Sequence, residues 1–375
     1  MTVTIRQGKY EDLAAIHAFL RESFGALAPF KAEHRWRWQF AESPYQLCPP
    51  DRIPVWIAVD GDRVVGQIAV QPAAVMINRS VHPAGWMVDV MILPAYRGRG
   101  LGNRLHDAVA QDVPILLMLT MAPATRRMAA RGGGINLGDA WQFSRWVRLR
   151  PDDIRRYLLR RLENHPRLRG VVRFGCDVLF FHWIFAALAN LAISVGEAVS
   201  KRRGIVRDIT EIERFGPEID ELWQSVAHRF DALSVRDTRY LNWRFGNCPD
   251  LRYRRFVAKA GDRIVGYSVL RRTEPVELRL GVITDMFAAP DDTATLTSLL
   301  DHALRHFGTD VASIECVTSR LEIARLLRAR GFFRTRATTA TGVFADEGLR
   351  AQVGLLRGGW FFTKGDHDWD QIQVA

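Results

Sequence analysis

With 48% hydrophobic and 25% charged residues over 375 positions, the chain has the makeup of a globular protein that buries real cores, and two domains are the natural expectation. Its 52 Lys and Arg against 41 Asp and Glu leave a net charge of +11, which favours an anionic partner: cofactor phosphates, a membrane surface or nucleic acid. Four widely spaced cysteines (Cys48, Cys176, Cys248, Cys316) without a CxxC pair argue against a zinc or redox site and for reduced thiols in the cytosol; the charged start "MTVTIRQGKYEDL" argues against an export signal.

In chain order, "TVTIRQG" reads as a strand leading into the amphipathic helix "YEDLAAIHAFLRESFG", and a second helix carries "WQFAESP" at 38–44. "VWIAVDG" and "RVVGQIAV" form a hairpin turning at Asp60-Gly61. The strand "MVDVMIL" stops before Pro94, and "AYRGRGLG" opens a helix. A buried strand "ILLMLTM", a helix "ATRRMAARGG" and a last strand complete the unit. The order then recurs. "WRFGNCP" at 243–249 echoes "WQFAESP", "GDRIVG" at Gly261 echoes "GDRVVG" at Gly61, and "ITDMFAAP" ending at Pro290 echoes "VDVMILP" ending at Pro94. Three echoes in one order predict a duplicated unit in an α/β fold with a mixed sheet.

The glycine-rich stretch has a physical reading. A helix N-terminus presents unpaired N–H groups and partial positive charge, and so holds phosphate. Gly98, Gly100 and Gly102 keep side chains away from those groups, and Arg97 and Arg99 add charge. The loop lacks GxxxxGK[ST], and Asn103 or Leu105 stands where a dinucleotide fingerprint needs its third glycine. It resembles instead the acyl-CoA-binding motif of the GNAT superfamily of N-acetyltransferases, Arg/Gln-x-x-Gly-x-Gly/Ala, matched by Arg97, Gly100 and Gly102 after a strand, Pro94 and Tyr96. The strand order of both repeats is similar to that family's, over about residues 1–150 and 205–345. The resemblance implies tandem GNAT-like domains and an acyl-CoA co-substrate without a metal. It implies a cofactor site of Ile92, Leu93, Arg97, Gly98, Arg99, Gly100, Leu101, Gly102, Asn103 and Arg104.

The second copy departs. Its "APDDTATLTSLL" has no glycine, and Asp291 and Asp292 would repel a pyrophosphate while suiting a helix N-cap. One competent and one degenerate copy are therefore expected, as in mycothiol synthase and other tandem members of the superfamily. The implied division is 1–150 for the acyl-CoA-binding domain, 151–204 for a basic and apolar insert, and 205–375 for the degenerate domain with its tail.

In the family, the amine attacks the thioester directly, a carboxylate acts as base, and backbone N–H groups at a bulge in the fourth strand hold the oxyanion. Asp89, inside "MVDVMIL", is the candidate base or amine anchor; the alternative is a structural acceptor, which Asp285 at the same place in the degenerate copy strengthens. The family's tyrosine acid is missing, because Met128 and Leu327 hold its two positions. His34 and His106 are substitutes only if they are not ordinary surface residues. Trp36, Trp38, Phe40, Trp243 and Phe245 line a groove or, since both copies keep the Trp-x-Phe spacing, pack a core.

The insert carries "VLFFHWIFAALANLAISV" at 178–195, ~27 Å long as one helix, between arginine-rich flanks. His182, Ala186, Asn190, Ser194 and Glu197 share one face, and Phe180, Ile184, Leu188, Leu191 and Val195 the opposite one. Basic flanks at both ends disfavour a membrane span, and a core helix remains open. The sidedness suits a helix lying in a membrane interface with its arginines on anionic headgroups. The expectation is a cytoplasmic protein, peripheral on the inner face of the cytoplasmic membrane, that N-acylates a long-chain amine and is similar to bacterial ceramide synthases. The alternatives are a soluble acetyltransferase of a small polar amine, similar to mycothiol synthase, and a non-catalytic CoA-binding protein. Nucleic acid is not expected as a partner, because the arginines sit beside an apolar helix rather than among exposed aromatics.

Overall fold

The computed structural model describes residues 3–25, 29, 31–199, 206–273, 278–356 and 359–371. The first repeat runs β1 (Thr4–Lys9), α1 (Leu13–Phe24), α2 (Glu33–Trp36), β2 (Arg52–Asp60), β3 (Arg63–Ile77), β4 (Ser80–Ile92), α3 (Leu101–Asp112), β5 (Ile115–Met118), α4 (Pro123–Arg131) and β6 (Ile135–Trp146). The insert forms α5 (Pro151–Arg161), α6 (Pro166–Asp177) and α7 (Phe181–Val199). The second repeat runs β7 (Asp208–Ile212), α8 (Glu218–Val226), β8 (Ala232–Ser234), α9 (Thr238–Leu241), β9 (Arg254–Ala260), β10 (Arg263–Arg272), β11 (Leu280–Ala288), α10 (Thr293–Phe307), β12 (Ser313–Thr318), α11 (Leu321–Ala329) and β13 (Phe333–Phe344). The tail adds α12 (Glu347–Leu355) and β14 (Trp360–Phe361).

Two compact units emerge, and neither is a continuous stretch. One gathers 1–140, 214–251 and 338–372; the other gathers 141–213, 252–337 and the last residues. In the first, the sheet runs β1, β2, β3, β4, β5 and the end of β13, with only β4 and β5 parallel. In the second it runs β7, β9, β10, β11, β12 and the end of β6, again with one parallel pair, β11 and β12. Identical order and polarity are the structural form of the sequence echoes. The closing strands are exchanged: Thr341–Phe344 of the second repeat pair with Ile115–Met118, and Trp141–Trp146 of the first pair with Ser313–Thr318. The linear division at 150 and 204 follows the repeats along the chain, whereas the compact units trade strands and helices across it.

Local chemistry explains the repeated pieces. Both hairpins turn on a left-handed glycine, Gly61 and Gly261, each at φ +62, which a side chain would disfavour. α1 buries Ile16, Phe19 and Leu20 at helical spacing in a core that also holds Val55, Ile57, Val65 and Ile68 of β2 and β3 and Leu105 and Val109 of α3. Each Trp-x-Phe motif ends in a π-helical turn, Arg37–Ala41 and Asn242–Gly246. In the first unit, Trp38 Nε1 donates to the Trp243 carbonyl and Trp243 Nε1 to the Trp38 carbonyl, both at 2.9 Å, with the rings stacked 5.1 Å apart. All five motif aromatics are buried, so they pack a core and line no groove.

The insert belongs to the second unit. Of residues 178–195 all but the first three lie in one helix, α7; 178–180 form a corner where α6 and α7 meet at 77°, with Phe180 at φ +50. Gly175 permits this corner, because a Cβ there would lie 2.3 Å from the Phe181 ring. The sidedness holds along most of the helix, but Ser194, expected on the covered face, is exposed. His182 and Ala186 are buried, and Asn190 clamps both the N–H and the carbonyl of Leu149 at 2.9 Å. Phe180, Ile184, Leu188 and Leu191 are 57–63% exposed. The side chains of Val195 and Glu197 lie outside the described residues. Among those described, no single helix is long and apolar enough to cross a membrane.

Candidate active site

In the first unit β4 changes register against β3 between the pairs Gln67–Met91 and Ala69–Val88, so β4 carries one extra residue. Within this bulge Asp89 adopts φ +51, a strained value for a non-glycine residue. β4 also pairs with β5 only at Gly85–Leu116 and Trp86–Leu117 among the described residues. Beyond Trp86 the parallel strands part, and a fork opens beside the bulge.

The Asp89 side chain turns into the protein, where Lys31 Nζ sits 2.6 Å from its Oδ1 and 3.8 Å from Asp368 Oδ2. Asp89 Oδ2 has no hydrogen-bond partner among the described residues. Burial raises the Asp89 pKa above the usual carboxylate range; Asp368 adds to this and Lys31 opposes it. Burial pushes Asp368 the same way, but the His367 hydrogen bond and the charges of Lys31, His367 and Arg244 outweigh it and hold Asp368 at about 2. Two carboxylates on one lysine are thus shifted in opposite directions, Asp89 upward by burial and Asp368 downward by its partners. In the second unit Asp285 accepts from Tyr267 Oη at 2.8 Å, the arrangement of a structural acceptor. Gln67 replaces that tyrosine in the first unit, and its amide has no partner among the described residues.

The cofactor-loop residues lie at the end of the same strand. Gly98 and Gly100 have φ +76 and +75, and a Cβ on either would meet nothing within 4 Å, so backbone conformation demands glycine and the space above stays open. Gly100 caps α3, Arg104 N–H bonds its carbonyl, and the amides of Leu101, Gly102 and Asn103 are left for a ligand. At Gly102 a Cβ would sit in ordinary contact, 3.5 Å from Ile92 and 3.6 Å from Met128, so alanine fits there. Arg97 donates to the Ile92 carbonyl, Arg99 lies over the Tyr96 ring, and Arg104 donates to the Val3 carbonyl; all three are exposed. Leu93 and Leu101 are buried and anchor the turn. This chemistry fits a pyrophosphate. At α10, Asp292 accepts from Thr295 N–H at 2.9 Å and contacts Arg207, so that helix start is already capped.

The two histidines considered as acids lie elsewhere. His106 is buried with neither ring nitrogen hydrogen-bonded, and it packs where a Gly132 side chain would be. His34 is exposed and sits 2.5 Å from Asp250 Oδ2. Met128 is buried. Sequence reasoning missed the tail, where "GDHDWD" sets three aspartates around His367. Each aspartate meets a cation from another element: Asp366 meets Arg236 at 2.9 Å, Asp370 meets Arg244, and Asp368 meets Lys31. These pairs fix His367 with its ring 5.5 Å from Trp86 and its Nε2 3.3 Å from Thr120 Oγ1, just past β5. The alternation of acids around one histidine was the available signal. No cluster of His, Cys, Asp or Glu among the described residues is arranged to hold a metal ion.

Residues 4–118 match the family described as acetyltransferase (GNAT) domain. No curated protein matches the sequence. Among solved structures, a GCN5-related N-acetyltransferase from Anabaena variabilis aligns at TM-score 0.59 and 13% identity over 91% of this chain and 72% of its own. A "probable N-acyltransferase" from Enterococcus faecalis aligns at 0.57 and 11% over 91% and 72%, and Eis1 from Mycobacterium abscessus at 0.53 and 13% over 94% and 76%. At such identities the likeness is one of fold, and it runs through both repeats. Residues 4–118, from β1 through β5, match a GNAT acetyltransferase domain, which marks the chain as an enzyme.

Proposed function

We propose that the first unit transfers an acyl group from acyl-CoA to a primary amine. The observation that carries this is the open loop at Gly98–Gly100, with free α3 amides and three arginines, at the end of the strand whose bulge holds Asp89. The pyrophosphate rests on the loop, the N–H groups of the bulge stabilise the oxyanion, and Asp89 accepts the proton of the attacking amine. The second unit, with Asp292 on its helix start, serves as scaffold.

A long-chain amine at a membrane surface is the finer reading, and one feature favours it. Trp183, Ile184, Phe185, Leu188 and Leu191 of α7, with Leu168, Val171 and Phe174 of α6, are 56–69% exposed. Arg167, Arg169 and Arg173 are exposed on α6 itself. An apolar face with adjoining arginines is complementary to anionic lipid, on the inner face of the cytoplasmic membrane for a cytosolic enzyme. The sphingoid base rests on this face alone, with no support from the relatives compared; acetylation of a small polar amine is the competing reading. The test offers purified protein acetyl-CoA and palmitoyl-CoA, each with a long-chain amino alcohol and with a polar amine, and reads free thiol and amide mass. Amide only from acetyl-CoA and the polar amine rejects the lipid reading. No thiol release from any pair rejects acyl transfer.

A further inference from the structure

Acyl transfer needs a proton at two places: one leaves the amine, and one reaches the departing thiolate. Asp89 serves the first, and the family's tyrosine for the second is Met128 here. A connected path of side chains nevertheless crosses the fork within the first unit. From Asp89 on β4 it runs through Lys31 at 2.6 Å and Asp368 at 3.8 Å to His367 Nδ1, 3.0 Å from Asp368 Oδ1, and ends at Thr120 Oγ1, 3.3 Å from His367 Nε2. Its far end lies just past β5, where Thr120 is exposed and the buried His367 turns Nε2 toward it.

We propose that His367 is the proton donor to the departing CoA thiolate, with Asp368 as the positioning residue that orients its ring. This rests on the acyltransferase reading. A CoA held at 97–104 runs back along β4 and brings its thioester to the bulge, inside the fork that His367 closes. The amine nitrogen bonds the carbonyl carbon, the C–S electron pair leaves with sulfur, the amine proton passes to Asp89, and the Nε2 proton of His367 passes to sulfur. Solvent then takes the proton from Asp89 and returns one to His367. Nδ1 also lies 2.9 Å from Trp369 N–H, which it accepts when the ring is neutral, leaving the proton on Nε2; when the ring is charged, Nδ1–H faces Asp368. Only the charged ring, its Nδ1–H held by Asp368, can give up the Nε2 proton and be left neutral. The charged groups around the ring are Asp368, Lys31 beyond it, and Arg244, which donates to the His367 carbonyl at 2.9 Å; Lys364 lies over the neighbouring Trp369 ring.

The test is His367→Asn, whose side-chain oxygen still accepts from Trp369 N–H but transfers no proton. Wild type is assayed first by thiol release, and its failure would sink the acyltransferase reading along with this one. In an active enzyme, His367→Asn is expected to lower kcat by ~10²–10³ with KM for acyl-CoA within a few-fold, and to erase the basic limb of the kcat–pH profile. Asp368→Asn is expected to lower kcat less and keep that limb. If His367→Asn does not fold, His367→Gly is assayed with and without imidazole, and imidazole is expected to restore thiol release. Wild-type kcat and pH profile in the asparagine variant, or a folded glycine variant deaf to imidazole, overturns the assignment and leaves acyl transfer standing.

Discussion

Lys31 Nζ lies 2.6 Å from Asp89 Oδ1, and both side chains are almost wholly buried, at 4% and 3% exposure. The residue best placed as base is thus already bound to an internal ammonium. Removing one partner of a buried pair leaves an uncompensated charge, which costs about 3–5 kcal/mol. Lys31→Met should therefore destabilise the protein at pH 7. Urea unfolding should show this loss shrinking as pH falls toward 4, because Asp89, already raised in pKa, becomes neutral and needs no counter-charge. The double variant Lys31→Met with Asp89→Asn should recover part of the loss; equal loss at every pH would mean that the pair carries no charge.

Asp89→Asn keeps the shape of the bulge but cannot take a proton. Turnover should fall by ~10²–10⁴, the range for loss of a general base, while acyl-CoA binding persists in calorimetry. Near-wild-type turnover in a folded variant would leave Asp89 a partner of Lys31 and nothing more.

Asp368 gives an acid signature. Its pKa is about 2 in the folded chain against an ordinary 3.8, so its stabilisation is complete above pH 3.8 and fades as pH falls toward 2. Asp368→Asn should remove that part of the acid unfolding curve and lower stability at neutral pH. An unchanged curve between these two values would show that Asp368 is not held charged.

The loop should tolerate change unevenly. Gly102→Ala places its Cβ in ordinary contact and should keep acyl-CoA affinity. Gly100→Asp forces a side chain onto φ +75 and a negative charge beside the pyrophosphate, and should abolish measurable binding. Titration of wild type should give one site per chain, since Asp292 occupies the matching helix start. Two equal sites would refute the asymmetry.

The exposed face of α6 and α7 should act at a lipid surface. Sedimentation with anionic vesicles should weaken with salt, as arginine attraction is screened, without full release. Serine at Phe180, Ile184 and Leu188 should leave the protein in the supernatant. Wild type that ignores such vesicles would favour the small polar amine as substrate.

Much of this site was legible because it is local. Asp89 and the 97–104 loop lie within sixteen residues of one another on one strand and turn, and a motif at fixed spacing reports backbone geometry that only glycine tolerates. The two faces of α7 were legible for the same reason, from helical periodicity. The corner at Phe180 was not, because it depends on a ring packing against Gly175.

By itself the sequence determined the duplication, the mixed sheet, the glycine-bearing first loop and the capped second one. These follow from period, turn chemistry and charge at neighbouring positions. Only the tertiary structure decided which compact unit each closing strand joins, that the Trp-x-Phe motifs pack a core, and that Lys31, Asp368 and His367 gather around Asp89. Residues 31, 89 and 368 are far apart along the chain, and nothing in their local pattern states the pairing. It arises because a buried carboxylate must find a cation, and folding brings the α2 entry and the tail to the β4 bulge where Asp89 waits.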